Sequence, residues 1–254
     1  MQEIFVLMRC WESWPFLEQS IHSVLAQKLP RQTTLTILFV DDHSDYTAQQ
    51  RKKLRTLLTG HIVQFNTQQK FAVRNAYEVI HQYVKNPSAI IINLDGDDWL
   101  IDNTAVQKIV ERYRLSDCLM TYGNCRYFAP GSTRNYQLLT DAEPLANRRY
   151  PKSVELQKSF RRHFFLPNHL RSWRAQAFLE IPKHYFLREN KSWLQLCEDE
   201  AILFPMLEKA ANRYEVIKEP LSAYNVAHPF NDQKFRLQQQ LLDEVCIRRK
   251  PIFT

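Results

Sequence analysis

Acidic residues fall into three clusters in a chain whose overall charge is positive. Asp41-Asp42 follows the apolar run 35–40. Asp95, Asp97 and Asp98 follow the apolar run 89–94. Glu198-Asp199-Glu200 opens a segment with helical spacing. Carboxylates packed this closely repel one another, and a bound divalent cation relieves that repulsion. No His/Cys cluster accompanies them, so the donors are hard oxygens, which points to Mg²⁺ or Mn²⁺. Mg²⁺ takes one or two carboxylates and leaves other positions to substrate phosphates. Each cluster also has a purely structural counterpart. Asp-Gly after a strand is a turn signal, Asp41-Asp42 suits a turn or cap, and acids in a first helical turn complement the helix dipole. Order and context together carry the chemical reading.

The elements that must position these residues can be read from periodicity. Apolar runs at 3–8, 35–40, 61–65, 89–94 and 119–122 read as strands. Between them, 15–27, 47–59, 73–84 and 104–113 carry helical spacing. Alternating strands and helices predict an α/β fold, with a mostly parallel sheet flanked by helices. In open sheets of this kind, ligands bind beyond the carboxyl ends of the strands, where two of the acidic clusters would lie. The texture changes near residue 128. The stretch 130–151 reads as a long loop, 198–209 as a helix with an acidic first turn, 220–232 as irregular and 233–248 as a polar helix. This divides the chain into 1–128, a ligand-binding half, and 129–254, a second half ending in that helix.

Composition narrows the options. The chain has 254 residues, 34 basic and 27 acidic, for a formal net charge of +7. With 44% hydrophobic and 24% charged residues it is neither disordered nor collagenous. Its four glycines, Gly60, Gly96, Gly123 and Gly131, cannot build GxGxxG or GxxxxGK[ST]. Dinucleotide fingerprints and P-loops are therefore excluded, because both need glycine to bring backbone against phosphate. A phosphate held here would need a metal or basic side chains. The N-terminus does not read as a signal peptide, and no run approaches the ~18 apolar residues of a membrane span. Five cysteines without a CxxC pair read as free thiols in a reducing cytosol.

The motifs, taken in order, resemble those of family 2 glycosyltransferases with the GT-A fold. Ser23-Val24-Leu25-Ala26-Gln27 ends the first helix. Val40-Asp41-Asp42-His43-Ser44 forms a strand end, and Ala72-Val73-Arg74-Asn75 opens a helix. Leu94 to Trp99 matches L-D-x-D-D-W, Glu198-Asp199 starts a helix, and Tyr224 to His228 matches Y-x-x-x-H. Coverage runs from about residue 3 to 230, and the first half matches better than the second.

The resemblance implies a metal-dependent, inverting sugar transfer from a nucleotide-diphosphate sugar, with UDP as the expected nucleotide. The acceptor would be a hydroxyl on a glycan, a glycolipid or another molecule, in surface polysaccharide, lipopolysaccharide or glycoconjugate synthesis. Trp11 would stack on the base, Asp42 would accept a hydrogen bond from it, and Arg74 would line the same pocket. Asp95 would lie near the ribose and Asp98 near the transferring sugar. Asp97 would bind Mn²⁺ or Mg²⁺, with His228 completing the shell. Asp199 would be the general base. The family's Asn after the stacking aromatic is Glu12 here.

The chemistry stands without the name. An inverting transfer needs one carboxylate to activate a hydroxyl and one electrophile to carry off the diphosphate. Glu198 and Glu200 would raise the pKa of Asp199, and a helix N-terminus would lower it. The residues alone leave that balance open.

Segment 158–165 interleaves Lys158, Arg161, Arg162 and His163 with Phe160, Phe164 and Phe165. It suits a peripheral membrane contact or an anionic acceptor, and equally a solvated face over core aromatics. Nucleic acid is not the expected partner, because no RNP or zinc motif accompanies the basic charge. The expected location is cytoplasmic, with a peripheral contact on the inner membrane face. The rivals are a nucleotidyltransferase that makes nucleotide sugars and a non-catalytic nucleotide- or nucleic-acid-binding module. The first normally carries a glycine-rich N-terminal loop, and 8–16 has no glycine.

Overall fold

The computed structural model describes residues 1–128, 147–226, 228 and 236–253. The first half alternates strand and helix as the periodicity predicts. Strands β1 (Gln2–Cys10), β2 (Thr33–Asp41), β3 (Ile62–Phe65) and β4 (Ile90–Asn93) alternate with helices α1 (Trp14–Leu25), α2 (Ala48–Leu57) and α3 (Phe71–Tyr83). Then come β5 (Trp99–Leu100), α4 (Ala105–Leu115) and β6 (Met120–Phe128). The second half adds α5 (Lys152–Gln157), β7 (Arg171–Arg174), α6 (Ala175–Leu179), α7 (Glu198–Ala210), β8 (Tyr214–Asn225) and α8 (Leu237–Arg249).

All eight strands form one sheet in the order β3-β2-β1-β4-β7-β6-β8-β5. The first four are parallel, as are β6 and β8. β7 runs antiparallel between β4 and β6, and β5 antiparallel to β8. The apolar runs are continuous because helices cover both faces of the sheet. On β1, Ile4, Val6 and Met8 pack in one layer with Leu17 and Ile21 of α1, Leu54 of α2 and Ile109 of α4. Leu7 enters the opposite layer with Val73 and Ala76 of α3, Phe178 of α6 and Phe204 of α7. One strand thus serves two cores through the two-residue period of its side chains.

The structure corrects one expectation from the second half and adds a strand. Segment 220–225, read as irregular, is the end of β8. Pro220 sits opposite Asn124, where the β6–β8 register shifts. A proline has no N–H to give a ladder, and the irregularity accommodates that loss. β7 itself was not anticipated, because its Arg-Ser-Trp-Arg sequence carries no apolar run. The expected loop 130–151 falls largely on 129–146, and those residues lie outside the described ones, as do 229–232 and 233–235.

Register fixes the shared carboxyl edge. Cys10 pairs with Asp41 and Leu7 with Asn93. The turns that follow β1, β2 and β4 therefore leave the sheet side by side, and α7 begins opposite them.

Candidate active site

A cleft of about 340 Å³ opens at that edge. Trp11, Asp42, Asp95, Asp97, Asp199 and His228 all line it. Six of the eight residues singled out by sequence are thus brought together from the ends of three strands, the start of α7 and the segment after β8. The other two stand apart from the lining. Asp98 is 2% exposed and lies behind the cleft, where its Oδ1 accepts the Asn225 N–H at 2.8 Å. Arg74, expected in the nucleotide pocket, turns along α3 instead. Its Nε donates to Glu78 Oε1 at 2.7 Å, and its guanidinium lies 5.9 Å from the Trp193 ring centre. Phe71, Ala72 and Asn75 of the same helix face the cleft in its place.

The turn 95–98 needs its glycine. A Cβ on Gly96 would stand 2.5 Å from Cys10 Cβ. Gly96 N donates to Arg9 O at 2.9 Å, which ties the acidic turn to the end of β1. Asp42 serves the fold as well as the cleft. Its Oδ1 accepts from Asn66 Nδ2 at 3.0 Å and from Lys70 N at 2.7 Å, and its Oδ2 accepts from Phe71 N at 2.8 Å. A carboxylate offers about four acceptor sites, so one remains for a ligand. At the mouth, the Arg236 guanidinium lies 5.6 Å from the Trp11 ring centre and 5.2 Å from that of Phe71.

The electrostatics depend on two arginines that the sequence reading did not single out. Arg9 Nη2 meets Asp95 Oδ1 at 3.0 Å, and its Nη1 meets Glu198 Oε1 at 2.7 Å. Arg171 of β7 donates from Nη1 to Asp199 Oδ1. Burial raises the Asp95 carboxyl, and Arg9 offsets part of that rise. Burial, helped by Asp95, pushes Asp97 up to about 7. Glu198 also reaches about 7, because burial outweighs Arg9, and Asp199 and Asp95 add to the rise. Asp199 goes the other way. Burial would raise it, but Arg171 first, then Arg9 and a hydrogen bond from Glu198, outweigh burial and hold it below the ordinary carboxylate value. The balance left open by the sequence is settled by residues outside the cluster, because neither Arg171 nor Arg9 is a sequence neighbour of Asp199. His169 is pushed down to about 3, by burial first and Arg171 second, so its imidazole is neutral.

The donor set fits a divalent cation. Asp98 Oδ2 is buried without a hydrogen-bond partner among the described residues. It lies 3.7 Å from His169 Nδ1. Ligand atoms of Asp95, Asp98 and His169 all fall within 4.8 Å of one another, and Asp97 of the same turn lines the cleft. This tightest grouping differs from the expected pair of Asp97 and His228. Nothing near His169 in sequence forms a ligand pattern; the sequence places it with the aromatics of the second half, and the fold brings it beside Asp95 and Asp98. His228 lines the cleft with its ring centre 5.9 Å from that of Phe16.

Comparison with known proteins gives a family and a fold. The model of the family described as glycosyl transferase family 2 matches residues 5–181. No curated protein matches the chain. Among solved structures, TarS residues 1–349 from S. aureus superposes with a TM-score of 0.60 at 11% identity, covering 89% of this chain and 60% of that one. A mannosyltransferase from Pyrobaculum calidifontis, solved with GDP-Man and Mn²⁺, gives 0.59 at 13% identity, covering 98% and 65%. Glucosyl-3-phosphoglycerate synthase from Mycobacterium tuberculosis, solved with Mn²⁺, UDP and glucosyl-3-phosphoglycerate, gives 0.59 at 13% identity, covering 97% and 80%. The present chain is similar in fold to each, and it spans about 60% of the length of the first.

Proposed function

This chain belongs to glycosyl transferase family 2, and from that premise we propose that it moves a sugar, with inversion, from a nucleotide-diphosphate sugar to an acceptor hydroxyl. The observation that carries the reading is the cleft itself. It joins an aromatic face, Trp11, to the acidic turn 95–98 and to a separate carboxylate, Asp199, arriving from α7. UDP is the nucleotide we expect. Structures similar in fold were solved with UDP or with GDP-Man, so both belong in the test.

In this account Trp11 stacks on the base and Asp42 accepts one hydrogen bond from it. Asp95 lies toward the ribose. Asp97 would hold Mn²⁺ or Mg²⁺ with His228, and the grouped Asp95, Asp98 and His169 offer further ligand atoms beside it. A bound ion would supply Lewis-acid neutralisation of the departing diphosphate. Asp199 takes the acceptor hydroxyl proton. Its lowered pKa keeps it ionised at neutral pH, and Arg171 holds it in place. Arg74 has no part in this scheme. The rival nucleotidyltransferase reading gains no support, since the turn after β1 offers no glycine and begins with Trp11.

The acceptor is a glycan, glycolipid or other hydroxyl compound, in surface polysaccharide, lipopolysaccharide or glycoconjugate synthesis. We place the enzyme in the cytoplasm with a peripheral contact to the inner membrane face. No helix among the described residues is long and apolar enough to cross a membrane. The basic segment 158–165 supports the contact differently from its sequence. Arg161 is buried and paired with Glu208 at 2.6 Å, so it is not a surface charge. Phe164 is 68% exposed beside the exposed Arg162, and α8 turns Leu237, Leu241, Leu242 and Val245 outward.

The test is release of nucleoside diphosphate from UDP-glucose, UDP-GlcNAc and GDP-mannose in Mn²⁺, with and without a panel of sugar acceptors. Release from one donor that Asp199→Asn abolishes supports the reading. No release from any donor, with no nucleotide bound, overturns it.

A further inference from the structure

Arg9 is an unusual residue to find at the inner end of a core strand. Its side chain is 4% exposed. Its guanidinium spans three elements that meet at the cleft. Nη2 donates to Asn93 Oδ1 at 2.8 Å and to Asp95 Oδ1 at 3.0 Å, at the end of β4. Nη1 reaches Glu198 Oε1 at 2.7 Å at the start of α7 and Ala72 O at 3.3 Å in α3. The Nε hydrogen has no acceptor among the described residues, although the atom is buried. A buried donor left unmade is costly, and native interiors rarely keep one without a use. Arg9 also lines the cleft, next to Asp95 and Asp97.

The surroundings limit what else can meet a phosphate there. The chain has no glycine-rich loop to present backbone N–H groups, and Gly96 is already in contact with the end of β1. Arg171 is engaged with Asp199 and with Pro167 O. Arg236 lines the cleft but lies over the rings of Trp11 and Phe71, at the proposed base end. Among the described residues, Arg9 is the cleft-lining cation seated among the carboxylates at the end where we place the diphosphate. Arg9 lines that part of the cleft, and its guanidinium, which stays charged, attracts a phosphate there and can turn a donor to it while most of its ion pairs remain.

We propose that Arg9 is a resident cation of the donor site, contacting the diphosphate of the bound nucleotide. Binding of the nucleotide then has a component that needs no divalent ion. This rests on the donor-site reading above. The metal strengthens binding, and Arg9 sets the affinity that remains when the metal is removed.

The experiment is calorimetric titration of UDP and of GDP in Mn²⁺ and in chelator, for the unaltered protein, Arg9→Gln and Arg9→Lys. The unaltered protein should bind one nucleotide in both conditions, more weakly in chelator. Arg9→Gln should weaken the chelator-resistant binding by about tenfold or more, the scale of one charge-assisted hydrogen bond. Its binding in Mn²⁺ should fall by less. Arg9→Lys should behave similarly, because three ammonium hydrogens are already claimed by Asn93, Asp95 and Glu198. If Arg9→Gln does not fold, Arg9→Lys decides. Binding in Mn²⁺ with none in chelator overturns the role of Arg9 and leaves the donor site standing. Chelator-resistant binding unchanged in either folded variant also overturns it, and makes Arg9 a structural tie. No binding by the unaltered protein in either condition overturns the donor site and the inference together.

Discussion

Arg171 of β7 donates its Nη1 hydrogen to the carboxylate of Asp199, the second residue of α7. β7 lies between β4 and β6, so the strand that holds the arginine also separates the two parallel parts of the sheet. The pair lowers the pKa of Asp199 against the pull of burial.

The first prediction follows from that pair. Asp199→Asn keeps the shape and loses the base, so UDP binding should survive while transfer falls by about 10²–10⁴, the usual weight of a general base. Arg171→Gln should raise the pKa of Asp199. A base must be deprotonated to act, so the acidic limb of kcat/KM should move to higher pH. Full turnover in Asp199→Asn, or an unmoved limb in Arg171→Gln, would contradict the assignment.

Asp97→Ala removes the proposed cation ligand. The increment in UDP affinity that Mn²⁺ provides should vanish, and binding in chelator should stay. Titration of UDP with and without Mn²⁺ reads both at once. An intact Mn²⁺ increment would remove Asp97 from the metal site.

Trp11→Ala should weaken UDP by about 1–3 kcal/mol, judged from aromatic–base stacking in nucleic-acid complexes. The gain from stacking must exceed what Arg236 loses on leaving the ring, which lies 5.6 Å away. Unchanged affinity by calorimetry would show that the ring does not carry the base.

Stability should fall in mild acid through His61. Its Nδ1 accepts the Ile37 N–H at 3.2 Å, which only a neutral ring with a bare Nδ1 can do, and burial lowers its pKa. A histidine held neutral in the fold contributes stability that is present above its unfolded pKa of about 6.5 and is lost as the pH falls. With the ring partly exposed, the loss between pH 7.5 and 5.5 should be under about 1 kcal/mol. His61→Leu should remove that component from urea unfolding curves. An identical slope in both proteins would contradict it.

The first half was legible because its chemistry sits on regular elements. Asp41-Asp42 and the 95–98 turn follow runs whose apolar character marks buried parallel strands, so the sequence places them on one edge. What was missed depends on distance along the chain. Arg9 reads as the residue that ends the apolar run 3–8, and its partners Asp95 and Glu198 lie 86 and 189 positions away. Arg171 stands in a four-residue strand with no apolar period, held by pairing on both sides. Arg74 was expected in the cleft from a motif, but which way a helical side chain turns depends on its neighbours, and here Glu78 one turn later captures it. Segment 158–165 looked like a basic surface because the sequence could not show Glu208 waiting beneath Arg161.

The central claim is that the cleft between β1, β4 and α7 receives a nucleoside diphosphate. A thermal-shift panel of UDP, GDP, CMP, dTDP and ADP, each in Mn²⁺ and in chelator, tests it most directly, since a ligand that binds only the native state raises Tm. The account predicts that one nucleoside diphosphate, with UDP foremost, raises Tm in Mn²⁺ and raises it less in chelator. A Tm that no nucleotide moves in either condition would contradict it, leaving the three acidic clusters as turns and caps.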